Sequence, residues 1–250
     1  VMSTYHSKKA KEFLKDPKKV ERHDRTFWSL RQKRDAAAAE LPEWEDLREH
    51  ASRIKEHTAT RLADYLEQFS NSLERNGVIV HFAKDAQEFN EMVYGILESH
   101  KVKKLVKSKS MLTEECEMNP YLIKRGINVV ESDLGERILQ LMHLKPAHIV
   151  MPAIHLTRDE IGEMFEEKGI SKEKGNHDPA YLTRCAREDL RGDFMDADAG
   201  LTGCNFGVAA TGDCVVCTNE GNADMSTSVP KLHIVAMGIE KVIPDYDSLA

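Results

Sequence analysis

The chain of 250 residues carries 35 Lys and Arg against 42 Asp and Glu, a formal net charge of −7. This balance argues against a nucleic-acid-binding protein, and no apolar run approaches the roughly 18 residues that a membrane span requires. Five cysteines in irregular spacing do not form a secreted disulfide framework, and the N-terminal residues lack the apolar segment of a secretory signal. We therefore expect a cytoplasmic protein with no membrane span and no nucleic-acid partner.

The first 76 residues are predicted to form a helical arm. Apolar residues recur at steps of three and four between Leu47 and Leu73, which is typical of a helix of about 30 residues that Asn76 and Gly77 end. Residues 1–40 contain eleven Lys or Arg and six Asp or Glu, a net charge of +5. This basic run is either a solvated helix or a contact for an acidic partner subunit.

From Gly77 onward, short apolar runs and helical patterns alternate. Strands are predicted at residues 78–82, 103–106, 127–130, 148–151, 232–237 and 241–243. Helices are predicted at residues 85–97, 110–126 with a break near Asn119-Pro120, 134–142, 157–168 and 179–195. Repeated strand–helix units predict a parallel sheet covered on both faces, with ligands bound at the carboxyl ends of its strands.

A glycine-rich stretch, residues 200–222, interrupts this alternation. Apolar runs flank Gly212-Asp213, which predicts a β-hairpin with a two-residue turn and makes the α/β fold one with a mixed, mainly parallel sheet. Most such stretches are plain connectors, but glycines also admit a ligand close to the main chain. The candidate ligand-binding residues of this stretch are Asn205, Thr211, Gly212, Asn219, Glu220, Gly221 and Asn222.

Two strand-to-helix junctions carry further candidates. Lys107, Ser108, Lys109 and Ser110 follow a predicted strand and open a helix, which suits either an anion site or a helix cap with solvated lysines. The next junction holds Glu131, Asp133 and Glu136. Its crowded carboxylates either raise one another's pKa for acid–base or nucleophilic catalysis, or merely begin a helix. His155, after the strand predicted at 148–151, is more often structural than catalytic.

The strand-end rule predicts that these groups meet in one cleft. The lysines and main-chain amides would hold a small anionic ligand, and Asn219 and Asn222 would orient it. The competing interpretation is that Lys107 and Lys109 pair with the carboxylates of Asp133 and Glu136 as structural partners.

Cys214 and Cys217 suggest a redox or metal site, but the hairpin prediction argues against one. Both lie in one predicted strand, where side chains three residues apart project from opposite faces. Buried structural thiols are the favoured interpretation. Cys116, Cys185 and Cys204 provide no close-spaced partner, so no metal or iron–sulfur site is expected in this chain.

Taken together, the chain resembles the iron–sulfur protein B family of the bacterial lactate-utilization system, which carries the LUD domain. The blocks that match are residues 33–58, 106–115, 129–141, 148–155, 200–212, 218–224 and 230–244. The resemblance implies an α/β fold of the sugar-phosphate isomerase and CoA-transferase type. We expect a helical arm at 1–76 and a LUD-type domain at 77–250. Members more often carry apolar residues at positions 214 and 217.

The resemblance also implies a function. The family takes part in oxidising L-lactate to pyruvate in a complex with other lactate-utilization subunits, and passes electrons through two 4Fe-4S clusters. Those clusters are expected in a ferredoxin-like region that this chain lacks, so that the chain would be a fragment. The alternative function is a stand-alone enzyme of the same fold that acts on a phosphate- or carboxylate-bearing metabolite.

Overall fold

The computed structural model describes residue 8, residues 10–148 and residues 151–249. Its helices are α1 (Pro17–Ala39), α2 (Trp44–Thr60), α3 (Leu62–Arg75), α4 (Ala86–Ser99), α5 (Met111–Glu115), α6 (Met118–Ile123), α7 (Leu134–Met142), α8 (Arg158–Glu167), α9 (Pro179–Met195) and α10 (Asn222–Ser228). Its strands are β1 (Lys104–Ser108), β2 (Asn128–Glu131), β3 (Ala199–Gly203), β4 (Phe206–Val208), β5 (Asp213–Val215), β6 (Leu232–Ala236) and β7 (Val242–Ile243).

A four-stranded parallel sheet in the order β2-β1-β3-β6 forms the centre of the fold. Helices cover both of its faces, which confirms the predicted α/β class. Leu105 and Val129 lie on one face with residues of α4 and α6, whereas Val106 and Val130 contact Leu190 of α9 on the other. This alternation follows from the two-residue period of a strand, which turns neighbouring side chains to opposite faces.

The central strand β3 was not predicted, because its sequence AGLTG is poor in the β-branched and aromatic residues that are typical of strands. Its glycines are required by close packing instead. A Cβ atom at Gly200 would lie 1.9 Å from the carbonyl oxygen of Ser226 in α10, and one at Gly203 would lie 1.9 Å from that of Lys109. The absence of side chains therefore lets α10 and the loop after β1 approach the strand.

The predicted hairpin forms, but in a second, three-stranded sheet with the order β5-β4-β7. The parallel sheet therefore stays unmixed, and the antiparallel pair lies outside it. The turn spans residues 209–212 rather than Gly212-Asp213, because Val208 pairs with Asp213. This sheet contacts the helical arm through Phe69 and Leu73, which cluster with Ala209 and Val242.

Three predicted elements differ in the structure. The long arm helix is interrupted at Arg61, between α2 and α3. Residues 78–82 form no strand, and Ile79 is 81% exposed. The break in the helix predicted at 110–126 falls at Cys116 and at Glu117, whose φ of 50° is left-handed, rather than at Asn119-Pro120. The strand predicted at 148–151 includes residues outside the described part of the chain.

No helix among the described residues is long and apolar enough to cross a membrane.

Candidate functional site

The carboxyl ends of β1 and β2 lie side by side, because Lys107 pairs with Glu131 in a parallel register. The two predicted junctions therefore meet, since parallel strands end at the same edge of a sheet. Ser132 extends the contact: its main-chain N–H and its hydroxyl both donate to the carbonyl of Lys107, at 2.9 and 2.8 Å. One polar site thus contains both junctions.

Lys107 forms a buried cluster with two carboxylates. Lys107 as a whole is 1% exposed, and its ammonium lies 2.7 Å from Glu131 Oε1 and 2.5 Å from Glu114 Oε1. The amide of Asn119 donates to Glu131 Oε1 at 2.5 Å. Burial opposes the charge of Lys107, but the two carboxylates outweigh it and raise the pKa of the ammonium. Lys107 is therefore a buried cation that two acidic side chains neutralise.

The pKa of Glu131 is raised in this cluster. The side chain is 4% exposed, and its burial raises the pKa to about 7, although the Lys107 ammonium pulls it the other way. Its Oε2 atom has no hydrogen-bond partner among the described residues. A carboxyl group in this setting can hold or release a proton near neutral pH.

Lys109 forms a second cluster, just beyond the carboxyl end of β1. Its φ of 56° is left-handed, so that its main-chain N–H meets Asp133 Oδ2 at 2.6 Å while its ammonium pairs with Asp133 Oδ1. The same ammonium donates to Asn219 Oδ1 at 2.9 Å and lies 3.6 Å from Glu220 Oε1. Hydrogen bonding to Asp133 and the charges of both carboxylates outweigh the cost of burial and raise the pKa of Lys109.

Glu220 and Asn222 attach the glycine-rich stretch to both junctions. Glu220 Oε2 accepts from the main-chain N–H of Leu134 at 3.3 Å, at the start of α7. The amide of Asn222 donates to the hydroxyl of Ser132 at 3.4 Å. Gly221, with a φ of 73°, stands between them at the start of α10. Residues 219–222 therefore join the site, as the strand-end rule predicts.

The remaining candidate residues of the two junctions are Ser108, Ser110 and Glu136. Ser110 caps α5 by accepting from the N–H of Thr113 at 3.4 Å. The hydroxyl of Ser108 is fully buried and has no partner among the described residues. Glu136 lies in the first turn of α7, where burial, and secondarily the charge of Asp133, raises the pKa of its carboxyl group.

Several predicted residues have contacts elsewhere. Asn205 accepts from the main-chain N–H of Cys217 at 2.8 Å. The carbonyl of Thr211 accepts from Asn76, and a Cβ atom at Gly212 would lie 2.7 Å from the main-chain nitrogen of Leu73. Thr211 and Gly212 therefore face the arm helix α3, and the structure gives them no contact with the lysine clusters. The two junctions and residues 219–222 therefore converge as predicted, whereas the prediction is wrong for Asn205, Thr211 and Gly212.

The structure links His155 to the arm and places Cys217 outside its predicted strand. The carbonyl of His155 accepts from the guanidinium of Arg22 at 2.6 Å, which connects the segment to α1. Cys217 lies beyond the end of β5 and is exposed, so it does not share a strand with Cys214. The argument from opposite strand faces therefore does not apply to this pair.

The sequence prediction missed four residues of the site: Glu114, Asn119, Ser132 and Gly203. Glu114 and Asn119 lie on the short helices α5 and α6, and only the folded direction of those helices turns them towards Lys107. Ser132 follows Glu131 directly, but only the pairing of β1 with β2 brings its hydroxyl to the carbonyl of Lys107. For Gly203 a signal existed, because a glycine at a strand end often marks a close approach of two backbones.

No cluster of His, Cys, Asp or Glu suited to a metal ion occurs in residues 10–148 or 151–249. The described residues therefore provide no donor set for an iron–sulfur cluster.

Comparison with known proteins shows the family to which this chain belongs. The profile of the LUD domain matches residues 66–250, which is more than half of the chain. The chain belongs to the LUD-domain family. No solved structure matches it significantly.

Several named relatives are similar in sequence to most of this chain. Lactate utilization protein B of Bacillus pumilus is 46% identical over 221 residues, or 88% of this chain and 46% of that protein. The protein of the same name in Oceanobacillus iheyensis gives the same values. That of Shouchella clausii is 44% identical over 222 residues. The chain thus spans less than half the length of the curated relatives it matches, and the family supports a role in lactate utilization.

Proposed function

We propose that this chain is a ligand-binding domain of a longer lactate-utilization protein and that its ligand is a small organic anion bound at the Lys109 cluster. Family membership and the printed names of the relatives support the process. The observation that carries the site is the partly exposed side chain of Lys109, whose ammonium lies among Asp133, Asn219 and Glu220 beyond the carboxyl end of β1.

This cluster matches the chemistry of a 2-hydroxy acid. Such a ligand has a carboxylate, which an ammonium attracts, and a hydroxyl, which can donate a hydrogen bond to a carboxylate or amide oxygen. Lys109 supplies the ammonium, and Asp133 and Asn219 supply the oxygens. The 3.6 Å pair with Glu220 is the loosest contact of Lys109, and the Glu220 side chain is 37% exposed. The incoming carboxylate therefore takes the place of Glu220 beside the ammonium.

In the whole protein, this domain would contribute to the oxidation of L-lactate to pyruvate within a complex of lactate-utilization subunits. Electrons would pass through iron–sulfur clusters on another part of the longer protein. The basic helix α1 would contact another subunit, because residues 1–40 have the net positive charge described above and Trp28 is 60% exposed.

Calorimetric titration with L-lactate, pyruvate, inorganic phosphate and CoA tests the proposed site. We expect one carboxylate-bearing compound to bind to the wild-type chain. Lys109→Ala should then weaken binding by roughly ten- to a hundred-fold, because it removes a hydrogen bond to a charged group worth about 1.5–3 kcal/mol. Asn222→Ala should weaken binding less, since Asn222 acts through Ser132.

Thr211→Ala is the matched control, because Thr211 lies in the same glycine-rich stretch but contacts the arm. It should bind the ligand as the wild-type chain does. Binding that survives Lys109→Ala, or that Thr211→Ala weakens equally, contradicts the site. If none of the four compounds binds to the folded wild-type chain, the ligand-binding proposal is wrong, and a purely structural role in the complex takes its place.

One observation favours a second function, that of a stand-alone enzyme acting on a phosphate- or carboxylate-bearing metabolite. Glu131, whose pKa burial raises to about 7, has the proton affinity of a general acid or base. Its 4% exposure requires the site to open before a substrate can reach it. Turnover of such a metabolite by the isolated chain, abolished by Glu131→Gln in a folded variant, would support this function over the first.

A further inference from the structure

Helix α1 forms one side of a large open groove. None of its 23 residues, all of which the structure describes, is buried, and several of its apolar side chains line the groove together with Met151. The groove has a volume of about 1680 Å³, whereas pockets for small molecules measure roughly 300–1,000 Å³. Trp28 is 60% exposed in its middle, and Leu14 is 66% exposed near one end. A groove of this size around an exposed tryptophan is typical of a protein–protein interface.

Charged side chains line the same groove in an uneven order. Glu21 and Asp24 precede the exposed tryptophan, and Arg25 lies beside them in the sequence. Arg31 and Arg34 follow the tryptophan. The first half of the groove therefore has two carboxylates for one guanidinium and is acidic, whereas the second half is basic.

These charges are only partly neutralised within the chain. Among the described residues, neither Glu21 nor Asp24 pairs with an arginine or a lysine. Arg31 and Arg34 share a single carboxylate, that of Asp35, at 3.8 and 2.5 Å. The groove thus offers carboxylates in one half and incompletely neutralised guanidinium groups in the other to whatever binds there.

We propose that the groove along α1 binds the α1 helix of a second copy of this chain, in antiparallel orientation about a two-fold axis. When the axis passes between residues 27 and 28, Asp24 of one copy comes opposite Arg31 of the other, and Glu21 comes opposite Arg34. Each of these contacts occurs twice, because a two-fold axis makes the interface the same on both copies. The exposed tryptophans lie beside the axis, at the centre of the interface, where such residues contribute most to binding.

The order of charges favours this occupant over others. A parallel pair of helices would place Glu21 opposite Glu21 and Arg31 opposite Arg31, so that like charges would meet. A uniformly acidic partner would meet Glu21 and Asp24 as like charges, although the basic half would attract it. An occupant that neutralises both halves needs the reverse order of charges, which an antiparallel copy of α1 has. The other basic side chains of α1 do not line the groove; they are Lys18, Lys19, Arg22 and Lys33.

The inference rests on the proposed function in one respect, because it names a second copy of this chain as the subunit that α1 contacts. It does not involve the Lys109 cluster, so the two proposals fail separately. A monomeric chain that binds the small anion would contradict the dimer alone. A dimer that binds none of the four compounds would contradict the ligand site alone.

Sedimentation equilibrium of charge-exchange variants tests the pairing. We expect the wild-type chain to form a dimer. Asp24→Arg should raise its dissociation constant by roughly a hundredfold or more, because guanidinium groups then face each other at two places. Arg31→Asp should do the same, because carboxylates then face each other. An equimolar mixture of the two variants should restore the dimer, since each arginine of the first copy then faces an aspartate of the second.

Glu91→Arg is the matched control, because it makes the same kind of charge change at an exposed position on α4 that does not line the groove. It should leave the dimer unchanged, and circular dichroism checks that every variant is folded. A wild-type chain that stays monomeric would leave the groove to a different subunit and overturn the proposal. The antiparallel pairing is wrong if Asp24→Arg leaves the dimer intact, or if the two variants remain monomers when they are mixed.

Discussion

Lys107 and Lys109 stand two residues apart at the end of one strand, yet their surroundings differ. Lys107 belongs to β1 and its side chain is 2% exposed; of its two carboxylate partners, Glu131 is 4% exposed and Glu114 is 28% exposed. Lys109 leaves the strand with a left-handed backbone, and its side chain is 16% exposed. One lysine therefore neutralises buried carboxylates, whereas the other can exchange a partner with a ligand.

The contrast between Lys107 and Lys109 shows that a lysine at a strand end is not by itself an anion site. Taking a charge out of water is costly unless it is paired, so the cluster around Lys107 stabilises the fold only while all its members are present. The Lys109 cluster has two carboxylates for one ammonium, and Glu220, the more exposed of the two, is the partner that a ligand can replace.

Lys107→Met should cause the largest loss. It leaves the buried Glu131 beside the partly exposed Glu114 without a cation, and breaking a buried ion pair costs about 3–5 kcal/mol. The measurement is the free energy of unfolding in denaturant. The control is Lys104→Met, on the same strand, where a partly exposed lysine pairs with Asp193 alone and a loss of about 1 kcal/mol or less is expected. Equal losses in the two variants would contradict the structural role of Lys107.

Glu131 should make stability depend on pH in a defined direction. Its pKa in the folded chain is about 7, above the ordinary value of 4.5, so the folded state binds this proton more tightly than the unfolded state does. The stabilisation is fully present below about pH 4.5 and is lost as the pH rises towards 7. A shift of this size corresponds to at most about 3 kcal/mol.

Glu131→Gln isolates this effect, because the amide resembles the protonated carboxyl group and does not titrate. Unfolding free energies measured at several pH values should show a smaller fall between pH 4.5 and 7 in this variant than in the wild-type chain. Parallel curves for the two proteins would mean that Glu131 ionises normally. Glu220→Gln, an exposed member of the other cluster, should leave the wild-type curve almost unchanged.

The two clusters also show what the sequence could predict. The meeting of residues 107–110 with residues 131–136 follows from strand–helix order alone, because parallel strands end together. The burial of Lys107 was not predictable, since it depends on α5 and α6 turning Glu114 and Asn119 onto the same face of the sheet. Local pattern does not determine such non-local contacts.

Two errors have the same physical origin. Residues 78–82 are rich in β-branched and aromatic residues, but β2 and β6 are the sheet edges and neither pairs with this segment. Residues 199–203 lack such residues, yet they occupy the centre of the sheet, because only glycine permits the backbone contacts at Gly200 and Gly203. Strand propensity describes a typical pleated surface, and here tertiary packing overrides it.

Gly203→Ala should disturb the Lys109 cluster specifically. Its Cβ atom would lie 1.9 Å from the carbonyl oxygen of Lys109, so the loop after β1 must move. We expect a loss of about 1–3 kcal/mol in stability, as for other overpacked sites, together with weaker ligand binding. Gly192→Ala in α9 is the control: no atom lies within 4 Å of its added Cβ, and it should stabilise the helix slightly. A neutral result at Gly203 would mean that the loop does not rest on β3.

Glu220→Gln should give the smallest effect, but its sign shows whether the ligand displaces Glu220 or donates a hydrogen bond to it. If a ligand carboxylate displaces Glu220 from Lys109, removing the charge of Glu220 removes a competitor and tightens binding. A partly exposed pair is worth about 0.2–1 kcal/mol, which corresponds to an increase in affinity of up to roughly fivefold. Glutamine keeps an oxygen that can accept from the N–H of Leu134, so α7 should start as before.

Calorimetry with the anion that binds to the wild-type chain measures this change. Glu163→Gln, an exposed glutamate on α8, serves as the control for the loss of one negative charge and should leave the affinity unchanged. Tighter binding in Glu220→Gln alone would mean that Lys109 exchanges Glu220 for the ligand. Weaker binding would mean instead that Glu220 accepts a hydrogen bond from the ligand, and the hydroxyl rather than the carboxylate would then face this side chain.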